Sequence, residues 1–434
     1  MRSQKLVMAG AILLGAISLS GQLPEISFTF VPPQGSDANL TGEVMNVNPE
    51  DHRVAVYIYV HGWWTKPTNA QPLSMIDSGG NWVCDITTGG ADLVAKKIAA
   101  FLIPVGYDPP ILNGTAEFPV DLQVTALASI QVDRQSVNAF HFSGYDWDVK
   151  TSGGFLFGPG PNVFSDDLEN VWVDAEGKLH LRITYRDGQW RCAEVISNDS
   201  FGYGTYRFYV DSPVDALDPN VVLGLFTWSD DPAYSYREID VEITRWGDAQ
   251  DPTNAQFVVQ PWNNPGNLVR YTIPQGSAPT THSFDWQADQ IAFASHDGAY
   301  APPPDVTPLL TQWTYTGPDI PVPGDEQVRI NLWLVSGLEP IDGEEVEVVI
   351  SRFVFIPSVV PPPKLTFLEM DDQGNLQLSY AGIPQLLYNL QSSPDLDQWT
   401  KVQSQISDEA TFQFSAPSPS VSEKVFYRVQ VPVQ

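Results

Sequence analysis

Basic residues are scarce in this 434-residue chain. Lys and Arg number 22 against 52 Asp and Glu, a net charge of −30. Nucleic-acid binding needs clustered cations to neutralise phosphates, so no nucleic-acid partner is expected. Cysteine is nearly absent, with Cys84 and Cys192 alone. The two fall in segments that read as different domains, so both are expected to be small buried hydrophobes rather than a disulfide. No Cys/His cluster has zinc spacing, and no metal ion or cofactor is expected. Long helical periods are missing, and no run after the first twenty residues is long and apolar enough to cross a bilayer.

What is present points to strands. Gly (32) and Pro (37) are frequent, while hydrophobic content of 43% and aromatic content of 12% are enough to fill cores. That profile predicts an all-β, loop-rich protein, and the length predicts two to four domains. Residues 1–20 read as a signal peptide: Arg2 and Lys5 begin it, and an apolar run from Leu6 to Ile17 follows. Cleavage is expected near Ser20 to Gln22. No cysteine follows to carry a lipid, so a secreted or extracytoplasmic, soluble and monomeric protein is expected.

Residues 24–128 read as an N-terminal β-rich accessory domain. Its clearest strand is Val54 to Val60, and Ala91 to Leu102 is its one expected helix. Trp63, Trp64 and Trp82 suit either sugar stacking or plain packing. Residues 129–358 form a larger β region. Residues 359–363 are a Pro-rich, stiff linker. Residues 364–434 read as a small C-terminal β-sandwich module.

The large region is organised around Glu238-Ile239-Asp240-Val241-Glu242. Side chains alternate across a strand, so Glu238, Asp240 and Glu242 share one face. Ile239, Val241 and Ile243 share the other, which reads as core. Three like charges in a row repel, so such a row is kept for a use. Carboxylates so placed transfer protons and attack carbon, or they bind a metal.

The stretch resembles the Glu-x-Asp-x-Glu signature of glycoside hydrolase family 16, carried on a strand of a jelly-roll sandwich. Softer matches occur in the same order. They are the hairpin through Val171-Trp172-Val173 and Leu179-His180-Leu181, then Phe201-Gly202-Tyr203-Gly204, then Asn331-Leu332-Trp333. The resemblance covers about half the chain. It implies a central β-jelly-roll sandwich and a retaining endo-glycosidase with Glu238 as nucleophile, Glu242 as general acid/base and Asp240 in support. It also implies contacts to polysaccharide from Trp228, Trp246, Gln256, His282, Asn331 and Trp333. The uninterrupted motif spacing, within that resemblance, favours mixed-linkage β-glucan, and the acidic net charge disfavours sulfated galactans. Two other readings keep the same fold: a transglycosylase, with a sugar hydroxyl as acceptor, and a non-catalytic carbohydrate-binding sandwich, which has no need of all three acids. A calcium site on the same acids is disfavoured, because ligands along one straight strand do not wrap an ion.

Overall fold

The computed structural model describes residues 22–134, 138–300, 307–360, 362–371, 373–406, 409–417 and 424–431. The leader expected over 1–20 lies outside the described residues, as does Pro361 of the linker. The chain divides into two compact units, one ending at Arg134 and the other running on from Gln135.

In the first unit the strand His52–Tyr59 is central. It pairs with Trp63–Lys66 on one side and Lys97–Pro104 on the other. Its alternate residues feed two cores: Val54, Val56 and Ile58 pack with Leu40 and Trp82, while Ala55 and Tyr57 pack with Trp63 and Phe101. A strand covered on both faces is apolar throughout. The same physics overturns the helix expected over Ala91 to Leu102. A 3-10 turn, Asp92–Val94, is followed by the strand Lys97–Pro104, whose run Lys-Ile-Ala-Ala-Phe-Leu-Ile-Pro is buried from Ile98 to Ile103 between the two cores. Such a run has no polar face, and its period cannot separate strand from buried helix. Trp63 and Trp82 are core residues, whereas Trp64 is exposed. Strand Ala128–Asp133 pairs with Lys97–Pro104 in this sheet, just past residue 128.

The second unit holds a two-layer sandwich of jelly-roll type. Its main strands are numbered here in chain order: β1 (Leu179–Arg186), β2 (Gln189–Ser197), β3 (Gly204–Val210), β4 (Val221–Trp228), β5 (Ile239–Ile243), β6 (Ala255–Val259), β7 (Leu268–Tyr271), β8 (Thr280–Trp286), β9 (Ile291–Asp297), β10 (Leu309–Tyr315), β11 (Gln327–Leu334) and β12 (Val346–Pro357). They run in the spatial order β7-β6-β5-β4-β11-β2-β1-β12-β3-β8-β9-β10, all antiparallel. The sheet doubles over, so its two halves share one core. Leu225, Val241, Phe257 and Ile330 from one half meet Phe284, Phe293 and Phe353 from the other. Phe257 of β6 stacks on Phe293 of β9 at 5.0 Å. Each such side chain contributes roughly 1.5–3 kcal/mol by leaving water. The outer face of β5 and its neighbours is left to polar residues.

The C-terminal module has two three-stranded sheets. Leu378, Tyr380, Leu390, Phe412 and Phe414 fill the space between them.

Candidate active site

The alternation expected around Glu238 holds in the fold. Ile239, Val241 and Ile243 of β5 are fully buried in the core, which turns Asp240 and Glu242 to the outer face. Glu238 sits at the end of the turn before β5, already extended (φ −89°, ψ 122°). The turn that delivers it is unusual. Tyr234, Ser235, Tyr236 and Arg237 all have φ between 51° and 63°, a left-handed run without a glycine. Each such residue costs about 1–2 kcal/mol, so contacts must hold the turn. Arg237 supplies several. Its guanidinium donates to Asp231 (2.9 Å) and to the carbonyl of Val322 (3.0 Å), and lies 3.7 Å from Asp325. Two further hydrogen bonds hold the turn: Ser229 N–H donates to Tyr236 O, and the Thr227 hydroxyl to Arg237 O.

Cross-strand register lines up the other residues. Glu194 of β2, Asn331 of β11, Gly224 of β4, Glu242 of β5, Gln256 of β6 and Arg270 of β7 form one row. One step along lies the row of Arg329, Phe226, Asp240 and Val258. Gln256 Nε2 donates to Glu242 Oε2 at 2.6 Å, and its own Oε1 accepts from Trp246 Nε1 and Arg270 Nη1. Gln260 Nε2 donates to Asp240 Oδ2 at 3.3 Å. Gly224 is required for this row: a Cβ there would lie 2.4 Å from Asn331 Oδ1.

Of the residues expected at the site, Glu238, Asp240, Glu242, Gln256, Asn331, Trp246 and Trp228 gather on this face. Trp333 meets Trp246 edge-on at 5.9 Å. Trp228 lies parallel to Tyr236 at 4.7 Å, so the exposed partner of that pair is Tyr236. His282 is not among them. It is fully buried in β8 of the opposing half, with Ser295 Oγ 2.8 Å from Nδ1 and Thr280 Oγ1 3.0 Å from Nε2. Burial pushes its pKa down to about 3. In this position it braces the core and has no surface to offer a ligand.

The expectation omitted a buried ion cluster beside the carboxylates. Glu194 is enclosed and pairs with Lys150 (2.8 Å) and Arg329 (3.1 Å). Arg329 also lies 5.8 Å over the Trp228 ring. Arg329 could have been found from its place two residues before Asn331 on one strand. Glu194 and Lys150 carry no local signal, since only register brings them here.

Burial raises the proton affinity of all three acids. Glu238 is pushed up to about 8 by burial and then by Glu242, against a hydrogen bond from Asp240 and the charge of Arg329. Glu242 is pushed up to about 7 by burial, against Gln256 and Arg270. Asp240 is raised well above the carboxylate range by burial, Glu238 and Glu242. The cluster titrates as a unit. The shifts do not by themselves separate acid from nucleophile, for the larger of the two glutamate values lies on Glu238.

A carboxyl whose folded pKa exceeds its ordinary value of 4.5 stabilises the fold fully below that value and loses the effect as pH rises through the folded pKa. The unfolding midpoint of the sandwich is therefore expected to fall between about pH 4.5 and 8, and less so in a Glu238→Gln, Glu242→Gln double variant. Equal pH slopes for the two proteins by calorimetry would remove the assignment of raised pKa values.

No protein-family model matches the chain. No curated protein matches it. Solved structures with similar folds do exist. A native glycosidic hydrolase is 23% identical, with 52% of this chain and 100% of that one covered, at a TM-score of 0.38. A β-glucanase of Bacillus licheniformis is 22% identical over 52% and 100%, at 0.37. A protein of Mycobacterium tuberculosis described as an immunostimulatory antigen and pseudo β-1,3-glucanase is 18% identical over 52% and 98%, at 0.39. Over half its length, then, the chain is similar at low identity to glycoside hydrolase and glucanase sandwiches, one of them termed a pseudo-enzyme.

Proposed function

We propose that this protein is a secreted, retaining endo-glycoside hydrolase acting on a neutral β-linked glucan, with the sandwich of the second unit as its catalytic domain and the flanking domains as accessories. The observation that carries the reading is the row Glu238, Asp240 and Glu242 on one face of one strand end, with Asp240 buried between two half-buried glutamates. Glu238 and Glu242 are four residues apart, about 13 Å at Cα along a strand, so the two glutamates must lean toward a common point over Asp240. Retention requires two carboxyl groups about 5–5.5 Å apart, and side chains converging from that spacing can meet it.

Glu238 attacks the anomeric carbon as the bond from that carbon to the leaving oxygen breaks. Glu242 gives its proton to that oxygen. Water then attacks the anomeric carbon of the glycosyl ester, Glu242 takes the water's proton, and Glu238 leaves as carboxylate. Protonated Asp240 donates a hydrogen bond to Glu238 and favours its anion, as does the charge of Arg329. The raised pKa of Glu242 keeps a proton available near neutrality. Asn331, Gln256 and Trp246 line the same face as donors, acceptors and an apolar ring for a sugar chain. A net charge of −30 repels sulfated chains, and mixed-linkage β-glucan is the favoured substrate.

The test is proton NMR during hydrolysis of mixed-linkage β-glucan. The β anomer is expected to appear first. An initial α product would overturn the double displacement, while turnover confined to agarose or carrageenan would overturn the glucan assignment alone.

A further inference from the structure

Beside β7, the outermost strand of the site sheet, lies a groove of about 450 Å³ lined by residues 264–267 and 313–319. We infer that this groove is an accessory sugar site, which holds two pyranose rings of the same glucan chain where it runs off the cleft. The inference rests on the proposed glucan reading.

Its volume falls in the range of ligand sites, roughly 300–1,000 Å³. Its floor is aromatic. Trp313 of β10 is half-buried and stacked on Phe293 at 5.2 Å, so its ring is held flat from beneath. Pyranose C–H faces pack on such rings. Its polar groups are set in place by one another. Asp319 Oδ2 accepts from Asn264 Nδ2 and Asn267 Nδ2, both at 2.9 Å, and from Tyr315 OH at 3.4 Å. Asn267 is buried and also donates to the carbonyl of Pro261. Those amide donors hold the Asp319 carboxyl below the usual range. It therefore stays anionic and can accept from sugar hydroxyls through its second oxygen. A single carboxylate is too few ligands for a hard cation, and its charge turns away anions. Gly317 lets residues 316–318 pass over Tyr315, since a Cβ there would lie 2.3 Å from the phenol oxygen.

The groove is joined to the cleft by one loop. Gln260, at the start of that loop, reaches Asp240 and accepts from the N–H of Trp262. Trp262 is 63% exposed, and Asn264 follows two residues on. A chain leaving the carboxylates across β6 and β7 meets Trp262 and then the groove.

The experiment is affinity electrophoresis of the full-length Glu238→Gln protein through gels holding soluble mixed-linkage β-glucan, with a tetrasaccharide of the same linkage as competitor. Trp313→Ala and Asn264→Ala are each added to that background. The preference for polymer over tetrasaccharide is expected to fall about fivefold or more, the size of one lost ring or hydrogen-bond contact, and Trp313→Phe is expected to restore it. If Trp313→Ala does not fold, the exposed Asn264→Ala decides. A preference within about twofold of the parent in every folded variant overturns the groove and leaves the glucanase reading intact. If the parent is retarded by no glucan and the unmutated protein cleaves none, the glucanase reading falls and takes the groove with it.

Discussion

Glu238→Gln and Glu242→Gln are each expected to lower kcat on β-glucan by about 10²–10⁴-fold, the usual worth of a positioned proton donor or acceptor, with the greater loss at the nucleophile. The amides keep the shape and the partners. Gln256 still meets residue 242, and residue 238 still closes the turn before β5. The unfolding midpoint should therefore hold or rise at neutral pH, since a half-buried carboxyl whose charge the fold disfavours has been removed. Asp240→Asn should cost less, because it retains a donor toward Glu238. The measurement is the rate ratio to the unmutated protein. A Glu238→Gln enzyme within about tenfold of it, roughly 1.4 kcal/mol of barrier, would rule Glu238 out as nucleophile.

Arg237→Ala is expected to have the next largest effect, though Arg237 touches no substrate in this scheme. Four left-handed residues lead into Glu238, and the Arg237 guanidinium ties them to Asp231, Asp325 and Val322. Gly324 leaves the space for it, since a Cβ there would lie 2.5 Å from Arg237 Nε. Without the guanidinium the turn can relax toward ordinary φ values and carry Glu238 with it. A misplacement of about 1 Å at a reacting group costs on the order of 10²-fold. The loss is expected in kcat with little change in KM, together with about 1–3 kcal/mol of stability from the unmet partners. Asp231 and Asp325 are partly exposed, which keeps that figure modest. Arg237→Lys keeps the charge but not the planar fork, and it should recover only part of the rate. A kcat for Arg237→Ala within about threefold of the parent would show that the turn holds itself.

How much of this could be read beforehand differs from residue to residue. The row of Glu238, Asp240 and Glu242 was legible because a period of two is local and its reverse face is plainly apolar. Gln256 and Asn331 were reachable through short motifs on adjacent strands. Glu194 and Lys150 were not, because pairing across β2 and β11 is set by contacts distant in the chain. His282 was misread from its aromatic surroundings, although alternation was available: Thr280, His282, Phe284 and Trp286 share one face of β8, and that face is core. The strand at Lys97–Pro104 was missed for the opposite reason. A run buried on both faces has no period to read.

Each unit also contains a single thiol, and both are shut away. Cys84 belongs to the first unit and Cys192 to the second, and both are free and buried. Burial pushes each up to about 12, so neither is a thiolate in the native protein, and neither reacts until its surroundings open. The chain thus has two internal clocks for labelling by a thiol reagent, one per unit. With Cys84→Ser the modification rate reports opening of the sandwich alone, and with Cys192→Ser that of the N-terminal unit. The cooperativity between the two units can be timed without adding a foreign probe to either.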